Sequence, residues 1–98
     1  MIKIEQYQES IQAVCRDLSL RRLDIVGSAA RDDFGSKSDV DVLVSFDNDE
    51  RLFGRYFELK ERLEAIFDRP VDVIEERAVK NPYFKRAIEK DRIRIYGT

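Results

Sequence analysis

Residues 39 to 46, Asp-Val-Asp-Val-Leu-Val-Ser-Phe, alternate with a period of two, and no other stretch so narrows what the chain can become. In a strand, Val40, Val42, Val44 and Phe46 share one face and Asp39, Asp41, Leu43 and Ser45 the other. The two acids open the strand, where packing gives no reason for them. Arg21 to Val26 is a second strand candidate, with Leu23 and Ile25 on one face, and it runs into Gly27-Ser28. Pro70 to Ile74 is a third, in which Asp72 is the one charge and faces opposite Val71 and Val73. Arg92 to Tyr96 alternates as a last short strand.

Helical spacing fills the intervals. Ile4, Tyr7, Ile11, Val14 and Leu18 step by three and four and predict an amphipathic helix over residues 3 to 18. Ser28 is placed to cap a short helix of Ala29 to Asp33, and Phe34-Gly35-Ser36-Lys37-Ser38 breaks it into a loop. Residues 51 to 67 read as the longest helix, with Leu52, Tyr56, Leu59, Leu63 and Ile66 in one stripe, Phe67 close to it, and Phe53 and Phe57 progressively off its centre. Glu75 to Asp91 predicts a final helix that restarts at Asn81-Pro82, with Tyr83, Phe84, Ala87 and Ile88 as its apolar side. Strands alternating with helices predict an α/β (α+β) layered structure, a small sheet covered by helices. At 98 residues we expect one domain, 1–98, burying roughly 65% of its unfolded surface.

Composition removes several chemistries. There is no histidine, which excludes imidazole bases, histidine nucleophiles and imidazole-held zinc. The single cysteine, Cys15, allows neither an internal disulfide nor a cysteine-based metal site, and its place among helically spaced apolar residues predicts an inert buried thiol. A net charge of −2 with acids and bases interspersed gives no strong nucleic-acid signal, since gripping a phosphate backbone needs a basic face. With neither a membrane-length apolar run nor a signal-peptide core, the expected compartment is the cytoplasm.

Acid–base work therefore falls to carboxylates, or to lysine or tyrosine. Same-face neighbours on a strand are about 6.6 Å apart at Cα, so Asp39 and Asp41 can lean toward one point. Such a pair repels unless a cation sits between the carboxylates or one is protonated. Magnesium suits it, being a hard ion that takes carboxylate, phosphate and water oxygens. Asp72 from a neighbouring strand can complete a two-metal site, or orient and deprotonate an incoming hydroxyl. Gly27 permits close backbone approach, and Ser28 offers a hydroxyl and N–H to an anion. Each half has a plain reading as well: the solvated face of an ordinary strand, and an ordinary turn.

Gly27-Ser28, ten residues, then Asp39-Val40-Asp41 resembles the signature of the polymerase-β-type nucleotidyltransferases, and the small size with Ala30-Arg31 resembles their minimal (MNT) branch. The resemblance spans the strand before Gly27 through Asp72. It implies a mixed β-sheet with packed helices, two Mg²⁺ ions on Asp39 and Asp41 with Asp72 as third carboxylate, and catalysis by the same three residues. Gly27 and Ser28 would hold the β- and γ-phosphates. Arg31 matches a basic residue of the family, in phosphate binding or in a structural ion pair with Asp24 or another acid. The family often has glycine where Asp32 stands here; Asp32 with Asp33 adds negative charge near an anionic substrate.

The resemblance further implies transfer of AMP from ATP to a hydroxyl, with release of pyrophosphate. Proteins resembling this one commonly pair with a small helical HEPN-domain ribonuclease toxin and act as its antitoxin, by adenylylating a toxin tyrosine (AMPylation) or by binding it. Phe57, with Phe53 and Tyr83, is a candidate contact in a homo- or hetero-oligomer, though Phe53 fits the core equally well. The alternatives are a non-catalytic antitoxin that acts by occlusion, and a stand-alone nucleotidyltransferase for a small hydroxylated molecule.

Overall fold

The computed structural model describes residues 3–31, 35 and 38–97. Helix α1 (Gln8–Asp17) follows a 3-10 turn at Ile4–Gln6 and leads into strand β1 (Leu20–Val26). A second 3-10 turn, Gly27–Ala30, precedes β2 (Val40–Phe46). Helix α2 (Leu52–Phe67), β3 (Val71–Glu75), a 3-10 turn at Glu76–Ala78, α3 (Pro82–Asp91) and β4 (Ile93–Tyr96) complete the order. The sheet is mixed, ordered β3-β2-β1-β4, with β1 antiparallel to both β2 and β4 and β2 parallel to β3. A parallel pair needs a crossover, which α2 supplies.

The two sheet faces do different work. Leu23, Ile25, Val40, Val42, Val44, Val71 and Val73 point into a dry core against Ile11, Val14 and Cys15 of α1 and Leu59, Leu63 and Phe67 of α2. Cys15 is fully buried, and the loss of hydration pushes its thiol up to about 12, so it is inert as expected. The other face is thinly covered: Val26 and Leu43 pack under Ile88 of α3, with Ile74 and Val79 beside them. Asp41 and Asp72 belong to this second face.

α2 is tied down by polar anchors at both ends. Arg55 is buried on the inward side, one turn before Leu59. Its Nε donates to Leu18 O at 2.9 Å, Nη2 to Ser19 O at 2.8 Å and Nη1 to Glu50 O at 2.8 Å, and the guanidinium lies over the Phe46 ring. This places the turn between α1 and β1 against the loop before α2. Further along the helix, the Val71 N–H donates to Glu64 Oε2 at 3.0 Å and the Tyr56 hydroxyl to Val73 O at 3.1 Å, setting β3 against it.

Two expectations about the turn after β1 are corrected. The helix expected over Ala29 to Asp33 is a single 3-10 turn that ends at Ala30, and Ser28 lies within it rather than capping it. Asp32, Asp33 and Phe34, like Ser36 and Lys37, lie outside the described residues. The stretch from Glu75 does break at Asn81, whose side chain accepts from the Tyr83 and Phe84 N–H groups with Pro82 in the first turn. Of that helix's apolar side only Ile88 is buried, while Tyr83 and Phe84 are exposed. Of the two readings of Phe53 the exposed one holds: it is 78% exposed, and its ring packs at a tilt of 54° against Phe57, which is 47% exposed.

Candidate active site

β1 ends at Val26, which pairs across the sheet with Asp41, and Asp41 pairs in turn with Asp72. One row of the sheet therefore carries Val26, Asp41 and Asp72 on neighbouring strands, with strand spacing of about 4.8 Å between backbones. Asp39, exposed, stands just before β2 at the same end. The chain turns away from β1 at Gly27, whose φ is +67°. A Cβ there would lie 2.5 Å from Asp41 Oδ2. The glycine is thus required twice, for its backbone conformation and to leave the Asp41 carboxylate uncovered. Ser28 follows in the 3-10 turn, where its carbonyl accepts the Arg31 N–H at 3.0 Å.

Electrostatics bind these groups together. The Asp41 carboxyl is held above its ordinary value first by partial burial, then by the carboxylates of Asp72 and Asp39, with Arg31 opposing the rise. Among the described residues, no group of three or more His, Cys, Asp or Glu side chains stands arranged to hold a metal ion. The donor chemistry nevertheless fits a hard divalent cation. Every candidate ligand is a carboxylate oxygen, the carboxylates repel one another, and the missing Cβ of Gly27 leaves open the space beside Asp41.

A crevice of about 140 Å³ opens beside this group. Gly27, Arg31 and Asp41 form its polar side, and Phe84, Ala87 and Ile88 of α3 its apolar side. The candidate residues Gly27, Arg31 and Asp41 are brought to one cavity, and Asp72 to the strand beside it. The α3 wall is not foreseen from the sequence, which marks these residues only as the apolar side of a helix; their spacing of three and four, running on to Asp91, places them on one helix face.

Arg31 does not pair with Asp24. Its Nη1 lies 3.6 Å from Asp91 Oδ2 at the end of α3. Asp24, 1% exposed, is instead held by Arg92, whose Nε donates to its Oδ2 at 2.7 Å, and by Arg94. A larger hollow of about 530 Å³ lies at the opposite end of the strands, but its charges neutralise each other, Arg77 with Asp49 at 2.7 Å and Arg22 with Glu76 at 3.1 Å.

The chain matches the family model described as nucleotidyltransferase domain over residues 4–95. MJ1379 of Methanocaldococcus jannaschii, named as an inferred protein adenylyltransferase, is 39% identical over 77 residues, 78% of this chain and 77% of that one. A solved structure described as an inferred minimal nucleotidyltransferase superposes with a TM-score of 0.77 at 26% identity, covering 95% of each chain. The fold also matches, at 20% identity and a TM-score of 0.67, a chain from a complex of tri-AMPylated Shewanella oneidensis HEPN toxin with MNT antitoxin, over 96% of this chain and 72% of that one.

Proposed function

We propose, from the premise that this chain belongs to the nucleotidyltransferase domain family, that it is an antitoxin that transfers AMP from ATP to a tyrosine hydroxyl of a helical HEPN-type toxin. The observation that carries the reading is the row of the sheet in which Gly27 uncovers Asp41 and Asp72 stands on the adjacent strand. The M. jannaschii relative and the S. oneidensis complex support the choice of a protein acceptor and of AMP. In this reading the acceptor is delivered by a partner, in the cytoplasm.

In this reading Asp39, Asp41 and Asp72 are the residues that would hold two Mg²⁺ ions. When bound, such ions neutralise the triphosphate and the departing pyrophosphate. Gly27 and Ser28 present backbone and hydroxyl donors to the β- and γ-phosphates at the start of the turn. Arg31, on the polar side of the crevice, adds positive charge there. Asp72 is exposed on the edge strand β3, open to an incoming hydroxyl. It takes the proton of the acceptor hydroxyl as that oxygen bonds to the α-phosphorus, while the bond from the α-phosphorus to the bridging oxygen breaks and pyrophosphate leaves.

The test is incubation of the chain with labelled ATP, Mg²⁺ and the candidate toxin. Wild type labels the toxin, and the D39N/D41N double variant loses at least about a thousandfold in rate, the scale of an electrostatic centre removed. Equal labelling by the two proteins overturns the reading.

A further inference from the structure

Arg31 reaches the crevice from a fixed backbone, since its N–H is bonded to Ser28 O at 3.0 Å. Its side chain then crosses to the last residue of α3, where Asp91 Oδ2 lies 3.6 Å from Nη1. The two side chains are 44% and 25% exposed. An ion pair that open adds little to stability, so its consequence lies in where it places the guanidinium.

Asp91 is itself well anchored. The next residue, Arg92, bonds to Asp24, which is 1% exposed in β1, and Arg94 bonds to the same carboxylate from β4. Asp91 also ends the helix face that begins with Phe84, Ala87 and Ile88 and walls the crevice. Asp91 therefore stands one residue along the chain from an arginine fixed on the buried sheet, and carries the Arg31 guanidinium at its carboxylate.

We propose that Asp91 is a positioning residue: it holds the Arg31 guanidinium at the crevice so that it meets the triphosphate already aimed. The inference rests on the nucleotide-transfer reading and adds a residue 60 positions away from the one it orients. A long, exposed arginine samples many rotamers, and ordering it during ligand binding weakens affinity; ordering it beforehand avoids that loss. Asp91 acts through Arg31 and touches no substrate in this scheme.

The experiment is titration of the full-length chain with ATP in the presence of Mg²⁺, read by calorimetry, for wild type, D91A, D91E, R31A and R31A/D91A. D91A weakens ATP binding about threefold, within the worth of an exposed ion pair. D91E recovers most of that loss, D91A adds nothing in the R31A background, and thermal melting of D91A stays within about 5 °C of wild type, the range of a surface pair. Unchanged affinity in D91A overturns the inference, as does tighter binding, which would mark Asp91 as a competitor for the guanidinium. A loss that persists in the R31A background also overturns it. A wild-type chain that binds no ATP overturns the nucleotide reading and this inference together, whereas wild-type binding that D91A leaves unaltered overturns the inference alone.

Discussion

At the scale of single residues, Gly27 decides whether the site exists. Its φ of +67° and the 2.5 Å approach of a would-be Cβ to Asp41 Oδ2 are separate demands, and alanine fails both. Gly27→Ala is expected to cost about 1–3 kcal/mol of stability. It is expected to reduce nucleotide transfer far more than that, because the methyl group occupies the space beside the carboxylate. Urea denaturation and labelled-ATP transfer, measured on the same preparation, separate the two losses; a fully active G27A would show that Asp41 does not need that space. The residues around Gly27 were legible in the sequence because they are chemically anomalous where they stand. Acids at the head of a valine-rich strand and a glycine at the end of another have no packing explanation. Arg31 was recognised for its type, but its partner could not be read, because Asp91 lies 60 residues on and only the fold brings the two together.

At the scale of elements, periodicity recovered the described strands and the three longer helices; the ends of the strands and of α2 moved by one residue, but α1 begins at Gln8 and not at residue 3, and α3 at Pro82 and not at Glu75. It failed where a side chain's character did not match its burial. Arg55 falls on the inward stripe of α2, yet a charge is not expected there; five carbonyl and side-chain oxygens around it make the position tolerable. Asp24 is a different case: it lies on the face opposite Leu23 and Ile25, yet two arginines from the far end of the chain bury it there. Phe84 is the reverse case, apolar at helical spacing yet exposed, because the face it serves borders a crevice and not the core. Replacing Arg55 by methionine keeps its length and strips its donors, leaving Leu18, Ser19 and Glu50 carbonyls short of partners. The expected cost is about 3–5 kcal/mol, read as a lowered denaturation midpoint. A loss below 1 kcal/mol, on the order of a surface pair, would show that water replaces the guanidinium freely.

At the scale of the whole molecule, the fold class was legible because short strands alternating with helices leave few arrangements, but strand order was not. Nothing in Ile93 to Tyr96 announces that this strand lies beside β1 and not beside β3. The same scale holds the question of partners. Phe53 and Phe57 pack against each other at the start of α2, exposed, with Leu52 and Tyr56 behind them. If this patch seats the toxin, F53S/F57S should weaken toxin capture at least about tenfold in a pull-down titration, since central aromatic contacts carry about 2 kcal/mol or more of an interface. The same variant should keep its ATP affinity, and the D39N/D41N protein should keep toxin capture. Unaltered capture by F53S/F57S would place the interface elsewhere.

The segregation of the two sheet faces has an evolutionary consequence. The dry core lies wholly against α1 and α2, and Asp39, Asp41 and Asp72 contribute nothing to it. The partial burial of Asp41 and, after it, the repulsion of Asp72 and Asp39 raise its carboxyl and subtract from stability. A duplicated copy of this gene that lost the acids would therefore keep its fold and even gain in robustness, while surrendering its chemistry. Inactive descendants are thus within easy mutational reach, each still carrying intact whatever surface its ancestor used to grip another protein.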